Sequence, residues 1–411
     1  MDNLTHTLIG VLVGEGAARI SRTSPGGLTQ PERRDLLVTM MAVGSNLPDL
    51  DFLYSTATGS KLDYLLHHRG HTHTFVGALL ISALLVMAAE LWIRKRHLSP
   101  APADRLWLVL IAALAPALHI AMDMTNNYGV HPWWPFNNEW LYGDSVFIIE
   151  PLLWAAAAPL VFASRTLAAR CLVALVLVAG VALTFLTGMV PVLMALGYTA
   201  LVAVLLFAGF KLSPAKAVAS GLGLWIAVTL VFLATSQLAA RRVEALVSRT
   251  FSDADLLDHV VTPMPVNPVC WEVILVQREA EELVLRRGMY SILPSQWSAN
   301  RCPGRSLDIP ITAPLQRVAA ANTPEVQWHG EIRSRIETLD SLWRENCRVE
   351  RFMRFARAPW LADIEGETVL GDLRYDREKE LGFAEIDIES TDERCPSYVP
   401  PWIPPRRDLL E

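Results

Sequence analysis

At 411 residues the chain is long enough for two or three domains. Hydrophobic residues make up 52% and charged residues 19%, with a mean hydropathy of +0.29, which is too apolar for an ordinary soluble protein. The net charge of −6 argues against a nucleic-acid partner. The N-terminus lacks a basic n-region, so no cleavable signal peptide is expected and any exported loop relies on the spans themselves.

Two weak apolar segments come first. Residues 4–20 are apolar except for His6, Glu15 and Arg19, and residues 36–50 are apolar until Asp49. Both are short for a membrane crossing, so they are expected to cross inside a bundle or to lie re-entrant or at the interface. Six stronger runs follow. Residues 75–93 hold one acid, Glu90, expected to pair with Arg94 one turn on. Residues 106–122 and 145–163 are the next two, the latter interrupted only by Glu150. Forty residues from Cys171 to Phe210 carry no charge, and at about 20 residues per span they read as two helices broken near Gly188 and Pro191. Residues 217–238 close the series.

If all eight segments cross, one side collects twelve basic residues: Arg19, Arg22, Arg33 and Arg34; then Arg94, Lys95, Arg96 and Arg105; then Arg165, Arg170, Lys211 and Lys216. The opposite short loops hold Lys61 and Arg69, and none between residues 125 and 146. Arg241, Arg242 and Arg249 after the last span weaken this bias without reversing it. The positive-inside rule then puts the basic side in the cytoplasm and the loop at 125–146 outside.

Residues 241–411 are more polar and end in a proline-rich stretch, Pro396, Pro400, Pro401, Pro404 and Pro405, expected to be extended. Residues 271–276, 282–287, 351–355 and 368–375 read as strands and 331–345 as a short helix. Cys270, Cys302, Cys347 and Cys395 all fall here. Two disulfides with three possible pairings, or four free thiols, are both compatible with that count. The fold class is therefore an all-α polytopic membrane helical bundle of six to eight helices followed by a small mostly-β extramembrane domain. The expected boundaries are 1–155 for a metal-site helical domain, 156–240 for additional transmembrane helices, and 241–411 for the β-rich domain.

Histidines and aspartates gather at the predicted outer face: His6, Asp49, Asp51, His68, His71, His73, His119 and Asp123. His119 and Asp123 are four apart and share a helix face. Such nitrogen and oxygen ligands hold zinc and similar ions, and ionisable groups beside spans are usually functional. Residues 67–73 pack four histidines into seven positions, and not all four can bind one ion. Arg69 can hold a phosphate or carboxylate by paired hydrogen bonds, or touch lipid headgroups. Asp49 and Asp51 flank one residue; they can bridge ions or hold a nucleophilic water, or simply cap a helix end. His6 stands alone on an apolar helix. Asp144 and Glu150 are candidates to orient a histidine. Trp133, Trp134, Phe136 and Trp140 read as an interfacial aromatic belt.

Met1-Asp2-Asn3-Leu4-Thr5-His6, Pro48-Asp49-Leu50-Asp51, His68-Arg69-Gly70-His71-Thr72-His73, and His119 to Asp123 followed by Tyr128-Gly129 resemble, in order and spacing, the YdjM-like membrane-bound metal-dependent hydrolases. The resemblance covers roughly residues 1–155, and Asn267-Pro268 with Trp271 resembles the start of the extra C-terminal domain of longer members. It implies a metal set of His6, Asp49, His68, His73, His119 and Asp123, with Asp51 at its margin, and leaves His67 and His71 variable. Asp51 and Arg69, the latter to bind the anionic part of a substrate, are the catalytic candidates read from the residues themselves. Glu150 stands where the pattern usually has Asp before Pro. The family is remotely similar to the zinc-dependent phospholipase C and P1 nuclease group, which implies phosphoester hydrolysis.

The expectation is thus an integral hydrolase of the bacterial inner membrane, with metal site and C-terminal domain on the periplasmic side. A phosphoester or lipid-type substrate is expected, and divalent metal, zinc foremost, as two or more ions sharing a carboxylate. Its partners are the lipid bilayer and a lipid or lipid-linked substrate. The rival readings are a metal or ion transporter, disfavoured because transport sites sit near the midplane, and a non-catalytic anchor displaying the C-terminal domain.

Overall fold

The computed structural model describes residues 1–21, 23–303, 311–390 and 395–410; Arg22, counted above among the basic residues, lies outside them. The first helix, α1 (Asn3–Ile20), starts where the Asp2 carboxylate accepts from Thr5 N at 2.9 Å, a conventional N-cap. Next, α2 (Gln30–Gly44) opens on a Thr29/Glu32 capping box with proline in its first turn. Gly10 and Gly14 bring α1 against α2: a Cβ at Gly10 would meet Met41 O at 2.9 Å, and one at Gly14 would meet Val38 Cα at 2.8 Å.

The chain then breaks. Asn46 Nδ2 turns back to Ala42 O (2.7 Å), Pro48 removes a donor, and a 3₁₀ turn over Leu47–Asp51 leads into α3 (Phe52–Thr58), 45° off the α2 axis. The second weak segment is thus a bent pair. After α4 (Lys61–His67) and a 3₁₀ turn at His71–His73, the apolar runs appear as α5 (Phe75–Lys95) and α6 (Pro102–Asp123). Glu90 pairs with Arg105 at 3.1 Å, not with Arg94.

The run at 145–163 does not form one long helix. It gives two short pieces, α7 (Pro151–Ala155) and α8 (Leu160–Ala163), separated by Pro159. The charge-free stretch splits as expected into α9 (Leu167–Leu186) and α10 (Val192–Lys211), and α11 (Pro214–Thr250) carries the last span well past residue 238. Among the described residues, five helices are long and apolar enough to cross a membrane (α5, α6, α9, α10 and α11), or six with the bent α2–α3 pair. Their outward faces show exposed leucines such as Leu79, Leu175 and Leu193, which suits lipid contact.

The basic turns meet at one end of the bundle. There Arg33 donates to buried Asp104 (2.8 Å), Arg34 to Glu15 (2.9 Å) and Arg165 to Asp35 (3.1 Å). The histidine-bearing turns and the C-terminal region meet at the other.

The C-terminal region is β-rich. Strands β1 (Asp255–Met264), β2 (Asn267–Glu279), β3 (Glu282–Ser291) and β4 (Val326–Arg335) form an antiparallel sheet in that order. Both faces are covered: Val261, Trp271, Val273 and Leu275 join the core shared with the bundle, while Val260, Ile274 and Val276 join that of the tail. This explains why residues 271–276 read as a nearly unbroken apolar run.

Two expectations for this region change. Of residues 331–345, the first five end β4 and the remaining ten form α12 (Ile336–Glu345), so the expected helix starts later; residues 351–355 lie largely in α13 (Cys347–Met353), not in a strand. There Asn346 caps the helix and Phe352 and Met353 turn inward together. A second sheet, β5 (Pro359–Ile364), β6 (Glu367–Asp372) and β7 (Glu385–Asp387), follows. Cys270 pairs with Cys302 and Cys347 with Cys395, with Cα atoms 5.7 and 6.1 Å apart.

Candidate metal centre

Four chain segments converge at the non-basic end of the bundle: the start of α1, the 3₁₀ turn after α2, the loop between α4 and α5, and the end of α6. Asp49, His73, His119 and Asp123 each aim one donor atom at a common point, and all four are buried. His73 Nε2 lies 3.0 Å from His119 Nε2, 3.2 Å from Asp49 Oδ1 and 3.2 Å from Asp123 Oδ2. His119 Nε2 lies 3.4 Å from both Asp49 Oδ1 and Asp123 Oδ2. An ion with bonds of about 2.0–2.1 Å in tetrahedral array holds its ligand atoms about 3.3–3.4 Å apart. Five of the six separations lie at or a few tenths of an ångström under such an edge, and all four atoms lie within 4.8 Å of one another, so these residues fit a zinc-sized cation.

The rings are also presented in the right tautomer. His119 Nδ1 sits 2.7 Å from Ser45 O, a contact only an N–H can make, so Nε2 keeps its lone pair for the centre. His73 Nδ1 lies 3.3 Å from Asp51 Oδ2, the carboxylate–histidine arrangement that orients a metal ligand. Asp51 is the hub of this turn. It accepts from Arg69 N (2.9 Å) and Thr72 Oγ1 (2.9 Å), and its Oδ1 is 3.1 Å from His68 Nδ1. Burial alone would lower the His73 imidazole, but its hydrogen bonds to the Asp123, Asp49 and Asp51 carboxylates push it up to about 10. That surplus of carboxylate around one ring is the charge a cation would balance.

A second group of donors, Asp49, Asp51 and His68, shares Asp49 with the first and is less buried at Asp51 and His68. His6 falls outside both groups. Its Nε2 lies 3.1 Å from Asp123 Oδ1, and its ring stacks on His119 at 3.8 Å. The α-amino group of Met1 also donates to Asp123. Arg69, with a left-handed φ of 58°, is buried; its guanidinium lies 3.0 Å from Asp123 Oδ2 and donates to Asn126 Oδ1 at 2.7 Å.

Other residues singled out from the sequence lie elsewhere. His67 packs on Tyr54 and Tyr398, and His71 on Trp134 and Trp402. Asp144 binds Arg357 at 2.8 Å, and Glu150 accepts from Leu152 N and Val266 N, so neither orients a histidine of the centre. Of the aromatic group, Trp133 and Phe136 are exposed and Trp140 is buried. His131 was not singled out from the sequence, yet it is fully buried between Trp402 (3.7 Å) and Trp140 (4.0 Å), where burial holds its imidazole neutral, down to about 3. The one signal available was its position in the same polar-aromatic loop as Trp133 and Trp134.

The chain is therefore a polytopic membrane protein with a buried histidine–aspartate cluster able to hold a metal ion. Residues 1–194, which include the whole centre, match the model of the YdjM inner membrane protein family, so the resemblance read from the motifs holds over that part of the chain. The chain is also similar to uncharacterized protein YfhP of Bacillus subtilis (strain 168), at 26% identity over 154 residues, 38% of this chain and 43% of that protein. The match thus spans less than half the length of that relative. No solved structure matches.

Proposed function

We propose that this chain is a membrane metal-dependent hydrolase that cleaves a phosphoester in a lipid or lipid-linked substrate, with its centre at the periplasmic face. The observation that carries the reading is the tetrahedron of donors from Asp49, His73, His119 and Asp123. Its four protein atoms close one coordination sphere, as structural sites do. The group Asp49, Asp51 and His68 offers three donors on the more open side, the number that leaves a position for water. Two divalent ions, zinc foremost, sharing Asp49 would supply a hydroxide near neutral pH and neutralise charge on the phosphoryl group.

The chain's own residues do the rest. Ser45 O and Asp51 fix the tautomers of His119 and His73. Arg69 balances Asp123 from behind, and we assign it an electrostatic role through that carboxylate. His6 contacts Asp123 and stacks on the His119 ring, and we assign it a supporting role beside the ligands. Leu50, Phe52, Leu53 and Tyr54, next to Asp51 in the chain, are exposed, an apolar surface suited to an acyl or polyprenyl tail. The positive-inside bias and the two disulfides, which persist in oxidising compartments, both support a periplasmic centre and C-terminal region.

One observation favours a second reading. If only the four-donor sphere is filled, the ion is structural and the bundle is a non-catalytic anchor for its C-terminal region. One experiment separates the two: purify the protein in detergent, measure bound metal for wild type and the His119→Ala/Asp123→Ala variant, and assay bis(p-nitrophenyl) phosphate and phospholipid hydrolysis. Metal and turnover both lost in the variant support the hydrolase. Metal lost with no turnover in either protein supports the anchor, and metal unchanged in the variant refutes the centre.

A further inference from the structure

The proline-rich C-terminal stretch does not dangle. It runs across the outer side of the loop that carries His68 and His73, with Trp402 fully buried against it. The indole Nε1 donates to Leu66 O at 2.8 Å, two residues before His68. Its ring stacks on His131 at 3.7 Å with planes 14° apart, and lies 5.0 Å from the His71 ring. The stretch is itself pinned on both sides of the tryptophan: Ile403 N donates to Asn138 O (3.1 Å) and Arg354 Nη1 to Trp402 O (3.1 Å). At the start of α4, Lys61 Nζ donates to Gly382 O at 2.9 Å, in the connection between β6 and β7, so a second part of the C-terminal region also holds this helix.

The loop between α4 and α5 needs such support. Arg69 adopts a left-handed φ of 58°, a conformation that persists only where surrounding contacts over-determine it. On the inner side Asp51 holds the loop by Arg69 N and Thr72 Oγ1. On the outer side the contacts come from Trp402, 336 residues away from Leu66 in sequence. Ligand geometry at a metal is sensitive to errors of well under an ångström, and the partners that hold ligands commonly govern affinity 10- to 100-fold.

We propose that Trp402 is a positioning residue of the metal centre, and that the C-terminal stretch is a strap that completes the centre by clamping its ligand loop. The inference rests on the metal reading above. It assigns the C-terminal region a role in the site itself, beyond display at the membrane surface.

The test uses the full chain in detergent, with Trp402→Ala and Trp402→Phe. Co(II) is titrated against the purified proteins and its ligand-field spectrum recorded, at a temperature where circular dichroism shows both variants folded. Hydrogen exchange is followed at the amides of residues 66–74. Trp402→Ala is expected to bind Co(II) about 10- to 100-fold more weakly, with an altered spectrum and faster exchange in the loop. Trp402→Phe, which keeps the packing on His131 and His71 and loses only the bond to Leu66 O, is expected to fall between Trp402→Ala and wild type in affinity, spectrum and loop exchange. Affinity and spectrum of Trp402→Ala equal to wild type overturn the proposal, even if thermal stability falls. Wild-type protein that takes up no Co(II) overturns the metal reading instead; equal exchange in wild type and Trp402→Ala then overturns the strap on its own terms.

Discussion

Replacing Asp51 by asparagine isolates the orientation of the ligand rings. Asparagine keeps the shape and one acceptor oxygen, so the bonds from Arg69 N and Thr72 Oγ1, both 2.9 Å, survive with the amide turned to suit them. What goes is the negative charge facing His73 Nδ1 at 3.3 Å and His68 Nδ1 at 3.1 Å. The amide oxygen then holds the Oδ2 position, where it still accepts from His73 Nδ1 but without the charge that raises that ring's basicity, while the NH₂ faces His68 Nδ1, which loses both tautomer control and its carboxylate partner. Loss of such a carboxylate partner costs 10- to 100-fold in metal affinity, or about 1.4–2.7 kcal/mol. The fold keeps its hydrophobic contacts at this site, so the thermal midpoint is expected to move by only a few degrees. Competition between the detergent-purified protein and a chromophoric chelator for Zn(II) or Co(II) reads the affinity. A fall of ten-fold or more, with the fold intact, is the expected result; if one of two ions is lost outright, Asp51 is also a ligand. Affinity within two-fold of wild type refutes the claim that Asp51 organises the centre.

Further expectations concern the C-terminal region and sidedness. Burial and the neighbouring Asp376 carboxylate raise Glu385 from 4.5 to about 7. A raised folded value means that stability from this group is fully present below pH 4.5 and is lost as pH rises through about 7, so Glu385→Gln should flatten the pH dependence of unfolding across that window, read by chemical denaturation from pH 4 to 8. The Cys347–Cys395 bridge closes 48 residues of chain and tethers the strap, and loop entropy puts its loss at about 4 kcal/mol. Cys347→Ser/Cys395→Ser should therefore expose the stretch near Trp402 to limited proteolysis, and an unchanged cleavage pattern would contradict this. Thr58→Cys, at the exposed end of α3, placed in a Cys171→Ala background, should react with a membrane-impermeant maleimide from outside intact spheroplasts; reaction only after lysis would place the centre in the cytoplasm.

Much of this molecule is legible in its sequence because a membrane leaves few options. A charge-free run longer than one span must break, and it does so between Leu186 and Val192, at the glycine and proline that cannot continue a helix. Histidines beside apolar runs announced the centre, since burying them without a partner or ion is too costly to be incidental. Tertiary context decided the rest. Residues 145–163 are apolar enough to span, yet Pro159 and packing under α9 and α10 divide them into short helices. Residues 351–355 alternate like a strand, but the Asn346 cap selects a helix. Asp144 and Glu150 looked like partners for a histidine; each instead ties the bundle to the C-terminal region through Arg357 or Val266, distant residues that no local pattern reveals. Trp402 and His131 were unreadable for the same reason, because their meaning lies in a stack between segments more than 250 residues apart.

The most direct test of the account is the metal content of the purified protein together with X-ray absorption at the edge of whatever metal it holds. At least one zinc-like ion per chain is expected, with a first shell of nitrogen and oxygen at about 2.0–2.1 Å and imidazole scattering that falls in His73→Ala and in His119→Ala. Protein that stays metal-free after expression and purification in zinc-supplemented medium, or an ion whose first shell is unchanged in both variants, would contradict it.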